Sequence, residues 1–147
     1  MNRLLRLTCA LMACAGVLVS AGCGSDSSSP SSEPAYSTLD LQVGTGATAA
    51  AGNSVTVNYT GWLYDSTKPD SKGTQFDSSL SAGRGPFPLV AGGSGAIQGF
   101  SQAVIGMRVG GTRRVVMPSS LAYGASGQGS IPPYAPLVFE ITLLTVS

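Results

Sequence analysis

Val55-Thr56-Val57-Asn58-Tyr59-Thr60-Gly61-Trp62-Leu63 puts Val55, Val57, Tyr59, Gly61 and Leu63 on one side and Thr56, Asn58, Thr60 and Trp62 on the other. That period of two is the pattern of a long strand with one buried face. Leu137-Val138-Phe139-Glu140-Ile141-Thr142-Leu143-Leu144 repeats it, with Leu137, Phe139, Ile141 and Leu143 inward. Between them, Arg113 to Met117 reads as a strand stopped by Pro118, and Gln75-Phe76 as a short one. Gly83-Arg84-Gly85-Pro86 turns the chain into Phe87-Pro88-Leu89-Val90. Upstream, Leu39, Leu41 and Val43 sit at period two before Gly44 and Gly46 break the pattern, so the fold is expected to begin near Leu39. Lys68-Pro69-Asp70-Ser71-Lys72-Gly73 reads as a protruding loop. A single helix is expected, Gln98 to Ile105, stopped by Gly106, with Phe100, Ala103, Val104 and Met107 at helical spacing. Many short strands and one short helix predict an α+β domain, an antiparallel sheet packed on the helix.

The chain has 147 residues and no histidine. Ser-His-Asp and Cys-His catalysis and His-ligated zinc are therefore excluded. No Gly-Lys-Ser/Thr occurs, and Gly92-Gly93-Ser94-Gly95 lacks the acidic partner and βαβ context of a dinucleotide site. Eight Lys and Arg against seven Asp and Glu make no electrostatic footprint for nucleic acid. The acids are scattered, with Asp77 alone beside aromatics, which argues against a paired-carboxylate hydrolase. The composition suits a cavity lined with aromatics and a few hydroxyls, and a reaction without proton transfer. Rotation about an X-Pro bond is such a reaction. This reading calls for no cofactor and no metal.

Arg3 and Arg6 precede an apolar stretch from about Leu7 to Val19, shorter than the roughly 20 residues that span a bilayer, so residues 1–22 read as a signal peptide. Ser20-Ala21-Gly22-Cys23 resembles a bacterial lipobox, which implies lipidation of Cys23. Cleavage there would remove Cys9 and Cys14 and leave no free thiol. The Ser- and Pro-rich residues 23–38 cannot bury a core and read as a flexible tether to a domain at 39–147. Gly24, where an Asp would signal inner-membrane retention, points to the outer membrane, facing the periplasm.

Val57-Asn58-Tyr59-Thr60-Gly61, Phe76-Asp77-Ser78-Ser79, Leu121-Ala122-Tyr123-Gly124-Ala125 and Ile131-Pro132-Pro133, followed by the run from Leu137, together resemble the FKBP family of peptidyl-prolyl cis-trans isomerases. The resemblance covers about residues 39–147 and implies an FKBP-like fold, an antiparallel β-sheet wrapped around one short α-helix. It implies a catalytic set of Tyr59, Phe76, Asp77 and Tyr123, with Phe87, Ile97, Phe100, Ile131 and Phe139 binding substrate. In that scheme Ile97 lends its backbone N–H, and Tyr123 its phenol, to substrate carbonyls. Phe100 forms the floor where the family often has Trp, Ala96 stands where Val often precedes the Ile, and Arg84 is the candidate partner for Asp77. The loop after the tyrosine carries Gln128 and Ser130 in place of residues common in the family.

From pattern alone, Tyr59, Phe76, Phe100 and Phe139 read as core more readily than as pocket, and Asp77 reads equally as a turn cap. Tyr123, flanked by Ala122 and Gly124, reads as a contact. The implied partners are proline-containing, partly folded polypeptides and macrolide inhibitors, with membrane contact only through the lipid and a monomer expected. The competing reading is a non-catalytic proline-peptide-binding module or chaperone.

Overall fold

Strands β1 (Ser37–Gln42), β2 (Ser54–Tyr64), β3 (Lys72–Ser78), β4 (Phe87–Val90), β5 (Thr112–Met117) and β6 (Leu137–Val146) form one antiparallel sheet, crossed by helix α1 (Gln98–Ala103). The strand order is β1-β5-β6-β2-β3, with β4 also paired to β2. The structure, a computed structural model, describes residues 33–147. The expected signal peptide, Cys23 and most of the tether lie outside the described residues.

The alternation read from the sequence does set the inner face. Val55, Val57, Val115, Met117, Leu137, Ile141 and Leu143 are all buried and meet Phe100, Ala103, Val104 and Met107 from the helix side. Each such side chain contributes about 1.5 to 3 kcal/mol when removed from water. Gly99 is what lets α1 lie close to β5, since a Cβ there would stand 2.8 Å from the Met117 sulfur. The helix ends at Ala103, short of Ile105, and the chain reverses through Gly106 at φ +78°.

At the periphery the structure adds three details. Leu39, Leu41 and Val43 do not face the core, being 58%, 43% and 69% exposed. The reason is that β1 is an edge strand whose register shifts between Asp40 and Gln42, so the period-two pattern does not map onto one face. Asp40 instead pairs with Arg113, whose guanidinium also caps the end of α1 by donating to the carbonyls of Ala103 and Ile105, both at 2.9 Å. Order also begins before Leu39: β1 starts at Ser37, and Tyr36 packs against the core.

The segment from Lys68 to Gly73 is pinned rather than protruding. Pro69–Ser71 is a 3-10 turn, and Lys72 and Gly73 already belong to β3. Arg114 holds Asp70 at 2.7 Å, and Lys72 pairs with Glu140 and sits 4.5 Å over the Trp62 ring. These contacts retain Asp70 and Ser71 in the left-handed region, each at φ 58°, which is unfavourable without glycine.

Candidate functional site

Five rings from five elements converge at one end of the sheet. Tyr59 comes from β2, Phe76 from β3, Phe87 from the first position of β4, Phe100 from α1 and Phe139 from β6. They meet edge to face: Phe100 and Phe139 at 5.2 Å, Tyr59 and Phe100 at 5.5 Å, Phe76 and Phe139 at 5.5 Å, Tyr59 and Phe87 at 5.9 Å. Aromatic quadrupoles prefer this arrangement over stacking, and it leaves concave space between the rings. With Asp77, Gly95, Ala96, Ile97 and Tyr123 they line a cavity of about 190 Å³. It is smaller than the ~300 to 1,000 Å³ of drug-sized pockets, matching a side chain more than a whole ligand.

Gly61 makes this convergence possible. It pairs with Phe139 on one side and Asp77 on the other, and a Cβ there would stand 2.6 Å from Phe76 and 2.7 Å from Phe139. The sequence marks Gly61 only as an inward strand position; a glycine at an inward position flanked by aromatics on the neighbouring strands was the available signal.

The polar edge is equally fixed. Tyr59 donates its phenol to Asp77 Oδ2 at 2.7 Å. Asp77 Oδ1 accepts the Ser78 amide at 2.9 Å and the Arg84 guanidinium at 3.0 Å. Asp77 is thus both a turn cap and a pocket group, and Arg84 is the partner the sequence nominated. Ser78 and Ser79 are buried and replace the ladder where β3 ends: Ser79 Oγ accepts the Tyr59 amide at 2.9 Å, and Ser78 Oγ shares a hydrogen bond with Thr60 Oγ1.

The Tyr59 hydroxyl is pushed up to about 12 by burial first and by the Asp77 carboxylate second. Burial likewise raises Tyr123, helped by the negative charge of Asp77. Both phenols are therefore protonated donors at neutral pH. The Ile97 amide, just before α1, donates no hydrogen bond among the described residues, and its carbonyl accepts the amides of Phe100 and Ser101. The Ile97 N–H and the Tyr123 hydroxyl are thus uncommitted donors beside an apolar cavity.

Every residue nominated from the sequence lines this cavity except Ile131 and, outside the described residues, Cys23. Ile131 is 6% exposed and sits in the core, its amide and carbonyl bonded to Gln128 across the Gly-rich loop. These two bonds fix the turn before Pro132-Pro133. Gly95 and Ala96 join the lining because they lead directly into Ile97. Among the described residues no group of three or more Asp, Glu, Cys or His could hold a metal.

A family model described as FKBP-type peptidyl-prolyl cis-trans isomerase matches residues 46–144. An FK506-binding protein of Neisseria meningitidis serogroup B is 44% identical over 108 residues, 73% of this chain and 92% of that protein. The peptidyl-prolyl cis-trans isomerase FPR2 of Saccharomyces cerevisiae is 46% identical over 99 residues, 67% of this chain and 68% of its own. Among solved structures, a peptidyl-prolyl cis-trans isomerase from Pseudomonas syringae pv. tomato has a TM-score of 0.61 at 38% identity, over 76% of this chain and 75% of that one. AtFKBP13 has a TM-score of 0.63 at 30% identity, over 76% of this chain and 93% of its own.

Proposed function

Because the chain belongs to the FKBP-type peptidyl-prolyl cis-trans isomerase family and is a prolyl isomerase, we propose that it turns X-Pro bonds in the cavity between Tyr59, Phe76, Phe87, Phe100 and Phe139. The proline ring enters among the aromatic edges. Ile97 N–H and the Tyr123 phenol each hold a substrate carbonyl, while Asp77, itself held by Tyr59 and Arg84, keeps the polar edge in place. The planar amide is stabilised by resonance and resists rotation by about 18 to 20 kcal/mol. An apolar, water-poor cavity favours the twisted amide, whose dipole is smaller, and each ~1.4 kcal/mol of that preference is about tenfold in rate. No proton moves and no covalent intermediate forms.

The observation that carries this reading is the pair of uncommitted donors, Ile97 N–H and Tyr123 Oη, beside a ring-lined cavity. An assay of prolyl-peptide isomerisation, with and without an FK506-type macrolide, tests it. A wild-type chain that binds a proline peptide without accelerating its isomerisation would establish the non-catalytic alternative.

The proposal extends to the cell. Residues 1–22 direct export, Cys23 carries lipid, and the Ser-rich stretch after it holds a monomeric domain at the envelope, at the outer membrane facing the periplasm. There its clients are proline-containing polypeptides still folding. Arg3, Arg6, the apolar stretch to Val19 and Ser20-Ala21-Gly22-Cys23 support this. Feeding cells a labelled fatty acid tests it: the wild type incorporates label and fractionates with membrane, and Cys23→Ser does neither.

A further inference from the structure

The segment just before β1 is bonded into the domain at two distant points. Tyr36 is half-buried against the core, and its hydroxyl donates to the Gly99 carbonyl at 3.1 Å. Glu33 lays its carboxylate on Ser119, the first residue of a 3-10 turn spanning Ser119–Leu121. One carboxylate oxygen accepts the Ser119 amide at 3.3 Å, and the other accepts the Ser119 hydroxyl.

Ser119 needs that acceptor. The N-cap position of its turn is Pro118, which supplies no side-chain cap, and the amides at the start of a helical turn have no partner within it. Ser119 is only 4% exposed, so water is a poor substitute. A carboxylate is a strong acceptor for both Ser119 donors.

The two contacts land on two different parts of the site. Gly99 precedes Phe100, the ring that meets Tyr59, Phe87 and Phe139. The Ser119 turn leads through Leu121 and Ala122 to Tyr123. Tyr123 lies between two short turns, Ser119–Leu121 before it and Gly124–Ser126 after it, so the capped turn is one of the two ends from which Tyr123 is aimed. Neither Glu33 nor Tyr36 lines the cavity.

We propose that Glu33 and Tyr36 form a positioning clip for the isomerase site, tying Phe100 and Tyr123 to the segment that precedes β1. This rests on the isomerase reading above. The residues act through others and touch no substrate. A site without nucleophile or base depends wholly on placement, and misplacement by about 1 Å can cost ~10²-fold in rate.

Glu33→Ala, Glu33→Gln and Tyr36→Phe in the full-length chain, kept in mild detergent, test the clip through steady-state kinetics and amide hydrogen exchange. Glu33→Ala is expected to lower kcat/KM roughly tenfold, mainly in kcat, and Tyr36→Phe roughly threefold. Glu33→Gln keeps an acceptor for one of the two donors and falls between Glu33→Ala and wild type. Exchange should accelerate at residues 119–123 in Glu33→Ala and at 99–103 in Tyr36→Phe, with the central amides of β2 and β6 unchanged. Wild-type kinetics in both variants, or exchange that rises uniformly across the sheet, would overturn the clip. A wild-type chain that isomerises no prolyl peptide fails the isomerase reading; an active wild type with unchanged variants fails the clip alone.

Discussion

Tyr59 and Asp77 are joined by a 2.7 Å hydrogen bond across adjacent strands, and the carboxylate is held on its other oxygen by Ser78 and Arg84. The phenol is committed to orienting the carboxylate. Tyr123, by contrast, lines the cavity with a hydroxyl that makes no hydrogen bond among the described residues.

That contrast separates two variants. Asp77→Leu removes the anchor of both Tyr59 and Arg84, so kcat/KM and thermal stability should fall together. Tyr123→Phe breaks no bond in the free protein, so Tm should hold while kcat/KM drops about fivefold, on the order of 1 kcal/mol for one hydrogen bond made to substrate. Wild-type turnover in Tyr123→Phe would remove this residue from the mechanism.

The isomerisation rate should be flat between about pH 6 and 8. No histidine exists to titrate there, and the phenols lining the cavity are raised away from it. A bell-shaped profile centred near 7 would contradict a mechanism without proton transfer.

Stability should respond at alkaline pH instead. Tyr36, Tyr59 and Tyr123 all have raised values in the fold, so the fold favours their protonated forms. That contribution is complete below about pH 10, the value in an unfolded chain, and is lost as pH rises, for Tyr59 until about 12. Thermal melts should therefore weaken above pH 10, and Tyr59→Phe should flatten part of the slope.

Phe100 is 3% exposed and meets three other rings, so Phe100→Ala should cost roughly 3 to 5 kcal/mol through lost burial and an enlarged cavity. Phe100→Trp should be tolerated, its extra ring occupying part of the existing space, and should move macrolide affinity toward that of relatives with Trp. Denaturant titration and a binding assay check the pair. An unchanged midpoint in Phe100→Ala would mean that this ring is not the floor.

Gly61→Ala is expected to act in the opposite sense, by overpacking. Its Cβ would press on Phe76 and Phe139 within 2.7 Å, and relief requires both walls to move, at about 1 to 3 kcal/mol. Reduced stability with a larger fall in kcat/KM is the expected signature. A variant with wild-type melting and turnover would show that the rings have room the packing does not reveal.

Elements whose neighbours are set by their own periodicity were legible. β2 and β6 alternate cleanly because each has one face on the core, and α1 is marked by Phe100 and Ala103. The exposure of Leu39 and Leu41 was not legible, because an edge strand with a register shift at Asp40 carries apolar side chains without burying them. The place of Ile131 was not legible, because an apolar residue before two prolines packs inward whether it anchors a loop or lines a pocket. Glu33 and Tyr36 were invisible, since their partners lie 86 and 63 positions away and nothing local distinguishes them from tether. The site was readable only as an ordered set, because each ring alone is indistinguishable from core.

The sheet order has a bearing on how the chain comes to be folded. β6, the last strand in chain order, lies in the middle, between β5 and β2, and closes the pairing of Val55 to Leu63 with Val146 to Leu137. A chain delivered N-terminus first holds its early strands without their central partner until β6 arrives, and such long-range pairing is slow. Synthesis therefore runs well ahead of folding. The cavity, which takes Phe139 from β6 as one of its walls, is complete only once that strand is in place.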